Sequence, residues 1–416
     1  MSLPDIKEAL NEYEFKWKAE QVTIQATLLK EHSDGRVTGD ITITTQAKEY
    51  HPHIHQSQFN FSAGRTRETL AKTLHSRVPD LISLKQWEDI IEQLCVKIVA
   101  MIREGEPALE LAIDDTKNIP PEYLLEPILL KGLPTIIYGE KGANKSTLSI
   151  LFSICMLLPW KDNPLGLVCP TRSIKSLILD WEQDKEIVQY QAKCLKDGMN
   201  LPYFDVYYRH CARPLANDLP QIARNISKVG AEVIIIDSLG AACGGELNKP
   251  GPALDFFAAL RELRIASIIL AQTSKDTESK KKTVFGSTYF TYYARSVFEL
   301  VKADEIDKTS SDIALFNREA NYSARHDPIG FHLTYNGTGI MVQRQDVNIG
   351  QFIKRHSTQQ AIYEVLKRGA MKPKEIAKET GENENAVRVA LSRMKAAGKI
   401  VMTDQGYGLL SKDIMQ

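Results

Sequence analysis

The sequence has no CxxC pair, no excess charge of either sign and no long apolar run. Its six cysteines are scattered, so neither a disulfide framework nor a zinc ribbon is predicted, and this usage fits a reducing cytoplasm. Lys+Arg and Asp+Glu both number 52, so nucleic-acid binding would need a local basic patch. The most apolar stretch, residues 148–160, is shorter than the roughly 20 residues that span a membrane. The acidic start is not typical of a signal peptide, and no membrane partner is expected.

Length and hydrophobic pattern predict several domains. At about 150 residues per domain, 416 residues suggest two or three. Residues 1–110 are predicted to form an α+β accessory module with an acidic helix at 4–13, alternating strands joined by an Asp-Gly hairpin, and two longer helices. Residues 111–126 are predicted to be a proline-containing linker. Residues 127–350 and 351–416 are predicted to be two further domains.

The middle region alternates apolar strands with helices. Nearly continuous Ile, Leu and Val runs indicate strands buried on both faces, which predicts an α/β domain with a mainly parallel sheet. The predicted strands are residues 134–139, 174–182, 204–209, 231–238 and 265–272. Three later strands, at residues 294–301, 313–318 and 330–335, are candidates for antiparallel pairing.

A glycine-rich loop stands between the first of these strands and a helix, as a phosphate-binding loop does. Its backbone N–H groups would cradle phosphate oxygens, Lys145 would reach the β- and γ-phosphates, and the Ser146 hydroxyl would bind Mg²⁺. Asn144 replaces the usual glycine before the lysine, and asparagine tolerates left-handed backbone angles. The alternative is a glycine-rich turn that binds no nucleotide. The predicted loop is Gly139, Glu140, Lys141, Gly142, Ala143, Asn144, Lys145, Ser146 and Thr147.

Acidic residues end two of the predicted strands. The buried strand at 231–238 carries Asp237, which would hold Mg²⁺ with Ser146 in the manner of a Walker B motif. A serine follows Asp237, so the residue that activates water must come from elsewhere. Glu182 is the first candidate, because strand ends at the carboxyl edge of such a sheet face the ligand crevice. Asp180 and Asp184 compete with it, and an ordinary helix N-terminal acid is the alternative reading of Glu182.

A third signal is the strand at 265–272, which ends in Gln272. A glutamine at this edge of the sheet can contact the γ-phosphate or the attacking water and so act as a sensor. A plain polar strand end is the alternative.

These motifs, in this order across residues 120–345, resemble the RecA-like ATPase core of the RepA-type, AAA_25-like replicative helicases. The resemblance covers about half of the chain, and the segments that carry it are GEKGANKST, LILDWEQD, IIIDSLG, AQTSKD and NREANY. The resemblance implies that Glu182 is the catalytic base and that Gln272 and Lys275 occupy the sensor positions. It also implies a ring, most often a homo-hexamer, with ATP between subunits.

In such a ring a basic side chain from the next subunit stabilises the transferring phosphoryl group. The resemblance places Arg318 first for this role in trans and Arg325 second, whereas Arg295 would support the site within its own subunit. For each arginine, a surface salt bridge is the alternative.

The last region is predicted to be a winged helix-turn-helix with helices at 358–367, 373–379 and 385–397 and a final hairpin. Residues 351–416 hold twelve Lys/Arg and seven Asp/Glu, an excess of about five positive charges. Such modules bind either DNA or proteins. The candidate DNA contacts are Asn385, Arg388, Ser392, Lys395 and Lys399.

Together the motifs predict an ATP-hydrolysing, Mg²⁺-dependent motor that acts on single- or double-stranded DNA. We expect a helicase or translocase in the replication of a plasmid, phage or other mobile element. The second hypothesis is a nucleotide-gated DNA-binding regulatory or assembly protein. A filament-forming recombination or defence ATPase is a third.

Overall fold

The computed structural model describes residues 2–9, 12–105, 108, 121–274, 283–286, 288–303, 309–322, 325–347, 352 and 358–409. The chain divides into two compact units, Met1–Ile119 and Pro120–Gln416. Within the described residues, no helix is both long enough and apolar enough to cross a membrane.

The N-terminal unit is an antiparallel sheet covered by two helices, and the predicted α+β character is confirmed. Its strands pair in chain order, and Phe15 and Trp17 lie in its core beside Trp87. The long second helix begins with a capping box, in which Ser83 and Gln86 satisfy each other's backbone N–H groups. The strands are β1 (Asp5–Ala9), β2 (Glu12–Trp17), β3 (Val22–Glu31), β4 (Val37–Thr45) and β5 (His53–Asn60). The helices are α1 (Gly64–Arg77) and α2 (Leu84–Glu104).

The predicted acidic helix at residues 4–13 is wrong, because β1 and the start of β2 occupy this segment. The two strands pair antiparallel with Ile6 opposite Phe15, and Asp5 contacts Lys18 at 2.6 Å across the hairpin. Short acidic segments have only a weak helix preference, and pairing with a strand that carries buried aromatic residues overrides it.

The second unit is built on a large mixed sheet, and the predicted α/β class with a mainly parallel sheet is confirmed. In the described residues its order is β10-β9-β11-β12-β8-β13-β14-β15-β16, and the pairs from β10 to β13 are parallel. The last three strands, β14 to β16, pair antiparallel, as predicted for the later strands. The strand predicted at 294–301 is β13, which pairs antiparallel with β14 and parallel with β8. The parallel strands are β8 (Pro134–Gly139), β9 (Ser176–Asp180), β10 (Tyr207–His210), β11 (Val233–Asp237), β12 (Ala266–Gln272) and β13 (Ser296–Lys302).

The antiparallel extension contains one strand that the sequence pattern did not indicate. It comprises β14 (Ser310–Ala320), β15 (Ile329–Asn336) and the unpredicted β16 (Gly339–Gln345). A small hairpin of β6 (Tyr123–Leu125) and β7 (Leu129–Leu130) also forms, and β6 falls in the segment predicted to be linker. Residues 111–120 of that segment lie outside the described residues.

Helices cover both faces of the sheet. Every residue of β9 and β11 is buried, which is the reason for their continuous apolar runs. One face packs against α3 and α4 in a single apolar core. The helices are α3 (Lys145–Leu157), α4 (Lys185–Gly198), α5 (Leu215–Val229), α6 (Leu239–Cys243), α7 (Pro250–Leu263) and α8 (Tyr289–Tyr293).

The end of the chain holds three helices and a hairpin in the predicted order. They are α9 (Thr358–Leu366), α10 (Pro373–Thr380), α11 (Glu384–Ala396), β17 (Ile400–Thr403) and β18 (Gly406–Leu409). Apolar residues from all three helices and both strands form one small core.

Candidate functional site

The loop between β8 and α3 has the backbone that a phosphate-binding loop needs. Gly142 has φ +79°, and Asn144 has φ 65° and ψ 26°, in the left-handed region. Asparagine adopts these angles more readily than most residues, so the loop forms without the usual glycine. The buried Nδ2 of Asn144 has no hydrogen-bond partner among the described residues. An unsatisfied buried donor at a helix N-terminus is a feature that an oxyanion would satisfy.

Lys145 lies inside the loop. Its Nζ donates to the carbonyl oxygens of Gly139 at 3.0 Å and of Glu140 at 2.8 Å. Burial lowers the pKa of Lys145, and the carboxylates of Asp237, Glu182 and Glu140 act against that shift. These carbonyl oxygens are neutral acceptors. A bound phosphate would offer Lys145 negatively charged acceptors, which form stronger hydrogen bonds with an ammonium group.

Ser146 and Asp237 meet, as the sequence predicted. The Ser146 hydroxyl donates to Asp237 Oδ2 at 2.5 Å, which joins the first turn of α3 to the end of β11. Burial raises the pKa of Asp237 to about 6, and the negative charges of Asp180 and Glu182 add to this rise.

The oxygens of Ser146 and Asp237 fit Mg²⁺ in its nucleotide-bound form. Mg²⁺ is usually held by one or two protein oxygens together with phosphate oxygens and water. Within the described residues, no group of three or more His, Cys, Asp and Glu side chains is placed to hold a metal ion. Mg²⁺ at this site would therefore need phosphate and water oxygens as further ligands.

Glu182 follows the neighbouring strand β9 and is exposed, and the Ser238 hydroxyl donates to its carboxylate. Asp180 has a different environment: it is 1 % exposed, and its Oδ1 accepts the backbone N–H groups of Glu182 and Gln183, both at 2.8 Å. Asp180 therefore shapes the loop, and its carboxylate is not presented to solvent. Asp184 is the exposed N-cap residue of α4 and makes no side-chain capping bond.

Gln183 is a further residue at this site, one that the sequence pattern did not indicate. Its Nε2 lies 3.3 Å from Ser146 Oγ and 3.4 Å from Asp237 Oδ2, so its side chain contacts both candidate Mg²⁺ ligands. The available signal was a buried aspartate followed within three residues by polar residues, a pattern in which the carboxylate caps the turn and aims the next side chains.

Gln272 ends β12, next to the loop. It stands opposite Gly139 in the parallel register, its side chain is exposed, and its carbonyl accepts the N–H of Phe285 at 2.8 Å. The other residue at the sensor position, Lys275, lies outside the described residues. The ends of β8, β9, β11 and β12 thus gather at one edge of the sheet, where a ligand crevice is expected.

The structure does not bring Arg318 to this edge. It lies on β14, where its Nη2 contacts Glu299 Oε2 at 2.5 Å and its guanidinium covers the ring of Phe316 at 4.8 Å. The Glu299 side chain is only 5 % exposed, so this is a largely buried ion pair. Arg295 lines a cleft with Arg261 at the opposite ends of the parallel strands, and Arg325 is exposed.

The five candidate DNA contacts are all exposed in the C-terminal module. Four lie on α11, whose other face buries Val387, Leu391 and Met394. Arg388 pairs with Glu384 one turn away at 2.7 Å, whereas Lys395 and Lys399 form no ion pair within the described residues. The basic side chains thus lie on the solvent side of this small core.

A match to a family model supports the ATPase predicted for the middle region. Residues 104–278 match a family model described as an AAA domain, and this segment contains the loop, Glu182, Asp237 and Gln272. A crystal structure of a KaiC-like protein from the hyperthermophilic archaeon Pyrococcus horikoshii is 16% identical, with a TM-score of 0.36. It covers 54% of this chain and 95% of its own. A search of curated proteins found no match.

Proposed function

We propose that this protein is an ATP-hydrolysing RecA-fold motor that acts on DNA. We further propose a ring-forming helicase or translocase in the replication of a plasmid, phage or other mobile element. The proposed ATPase activity rests mainly on the contact between Ser146 and Asp237 beside the loop that contains Lys145. Glu182 lies close by, just after the adjacent strand β9. The DNA-directed role rests on the resemblance and on the basic face of the C-terminal module.

The residues of the chain divide the work of phosphoryl transfer. The loop N–H groups and Lys145 would bind the phosphates, and Lys145 would exchange its two carbonyl contacts for phosphate oxygens. Mg²⁺, held by Ser146 and Asp237, would neutralise charge on the phosphates. Glu182, oriented by the Ser238 hydroxyl, would accept a hydrogen bond from the attacking water and align it.

Assembly into a homo-hexamer or another ring would complete the site. A neighbouring arginine would stabilise charge on the transferring group, and Arg318 is the first candidate on resemblance. Because Arg318 contacts Glu299, it would have to break this ion pair to reach the phosphates bound by a neighbouring subunit. Otherwise it would act indirectly, by holding β14 in position. Arg325 is exposed and needs no such exchange to reach another subunit.

The decisive experiment measures ATP hydrolysis with and without single-stranded DNA, and particle size in the same buffers. Glu182→Gln should abolish hydrolysis and keep nucleotide binding. Glu186→Gln is the matched control, because Glu186 is an exposed glutamate in the first turn of α4, four residues away. DNA-stimulated turnover by ring-sized wild-type particles supports the motor. ATP binding with negligible turnover in all three proteins refutes it.

The second candidate function is a nucleotide-gated DNA-binding regulatory or assembly protein. Asn144 favours it, because a side chain at this position can crowd the β-phosphate and slow turnover. ATP-dependent strand displacement separates the two functions: a motor unwinds a forked duplex, whereas a switch binds it without unwinding.

A further inference from the structure

Gln183 links three chain segments at the candidate Mg²⁺ site. Ser146 comes from α3, Asp237 from β11, and Gln183 from the loop between β9 and α4. Gln183 Nε2 lies 3.3 Å from Ser146 Oγ and 3.4 Å from Asp237 Oδ2, and those two oxygens are 2.5 Å apart. Because the two oxygens lie close together as seen from the nitrogen, one amide N–H can be shared between them in a bifurcated hydrogen bond.

The backbone of Gln183 is held on both sides, which aims its side chain. Its N–H donates to the buried carboxylate of Asp180 at 2.8 Å. Its carbonyl accepts the hydroxyl of Tyr208 at 2.7 Å. With both peptide groups bonded to residues of two neighbouring strands, the backbone position from which the Gln183 side chain extends is fixed.

The neutral amide suits its surroundings. Asp180, Glu182 and Asp237 already place three carboxyl groups at these strand ends. A further carboxylate would add repulsion, whereas an amide supplies donors that hold Asp237 in one orientation. Mg²⁺ requires near-octahedral ligand geometry, so the placement of the two oxygens affects its affinity directly. Hydrogen-bond partners of metal ligands typically change metal affinity by about 10- to 100-fold.

We propose that Gln183 is the positioning residue that sets the Mg²⁺ affinity of this site by orienting Ser146 and Asp237. The proposal deepens the proposed ATPase function and rests on it, because it assumes that Mg²⁺ accompanies the nucleotide.

The test uses Gln183→Leu, which keeps the approximate size of the side chain and removes both donors. Gln189→Leu is the matched control, an identical change at an exposed position on α4. Binding of a fluorescent ADP analogue is followed as Mg²⁺ is titrated, and again without divalent metal. Gln183→Leu should need roughly 10-fold more Mg²⁺ for half-maximal binding. Metal-free binding should match wild type, and the control should match wild type in both measurements.

Hydrolysis separates positioning from general damage. Saturating Mg²⁺ should restore most of the turnover of Gln183→Leu, a rescue that a distorted fold would not show. Gln183→Met, which also lacks the amide donor, provides a second variant if the leucine variant does not fold. An unchanged Mg²⁺ midpoint in a folded variant overturns the proposal. Absence of Mg²⁺-dependent nucleotide binding in wild type would instead refute the proposed function itself.

Discussion

Asn144 occupies a left-handed backbone conformation with φ 65° at the point where most phosphate-binding loops have glycine. Replacing it by glycine and by alanine separates the loss of the side-chain amide from the cost of a positive φ angle. Both changes remove the buried amide that has no partner among the described residues, but only glycine removes the penalty of positive φ. That penalty is roughly 1–2 kcal/mol for an ordinary L-residue. Glycine also loses more conformational entropy on folding than alanine, which offsets about 0.5–1 kcal/mol of this advantage.

We therefore expect Asn144→Gly to be more stable than Asn144→Ala by about 1 kcal/mol. For a domain of 150–250 residues this corresponds to roughly 2–4 °C in melting temperature. The assay is thermal unfolding of nucleotide-free protein, followed by far-ultraviolet circular dichroism. Asn200 provides the matched control, because it also has positive φ, at 51°, and lies outside the phosphate-binding loop.

The same gap between glycine and alanine is expected at Asn200, while only the Asn144 variants should change nucleotide affinity. An Asn144→Ala protein that melts at or above Asn144→Gly would refute the reasoning about backbone strain. A gap at Asn144 with none at Asn200 would show that the loop, and not the left-handed conformation, is its cause.

Four further predictions concern ion pairs and DNA. Glu299→Gln removes the buried counter-charge of Arg318 and should lower the free energy of unfolding by about 3 kcal/mol in urea titration. Arg318→Ala should lose stability together with turnover, and a loss of turnover alone would contradict its intrachain role. Asp218→Asn should also cost about 3 kcal/mol, because this buried carboxylate pairs with two arginines, and urea titration with no change would show that the pairs are dispensable. Lys395→Ala and Lys399→Ala should each weaken DNA binding for all sequences and reduce the salt slope by about 1, whereas unchanged slopes would exclude phosphate contacts.

Local patterns predicted most of the second unit. The strand at 134–139 has the predicted bounds, because an apolar run followed by a glycine-rich loop is a strong local signal. The acidic segment at 4–13 was predicted to be helical and is strand, because pairing with β2, which carries buried aromatic residues, outweighs the weak helix preference of a short acidic segment. The strand β16 was missed although its signal is local, because Asn336 stands opposite Gly339 across a two-residue turn and Asn336-Gly337 is a typical hairpin sequence.

The sequence by itself determined the candidate site residues: the loop around Lys145, the aspartate that ends a buried strand, and the polar residues at neighbouring strand ends. These follow from residue type and from the rule that parallel strands end at one edge. Only the tertiary structure decided how they contact one another. It placed Gln183 against Ser146 and Asp237, and it paired Arg318 with a buried glutamate. Such contacts join segments far apart in the chain, and their distances depend on how strands and helices pack, which a local pattern does not encode.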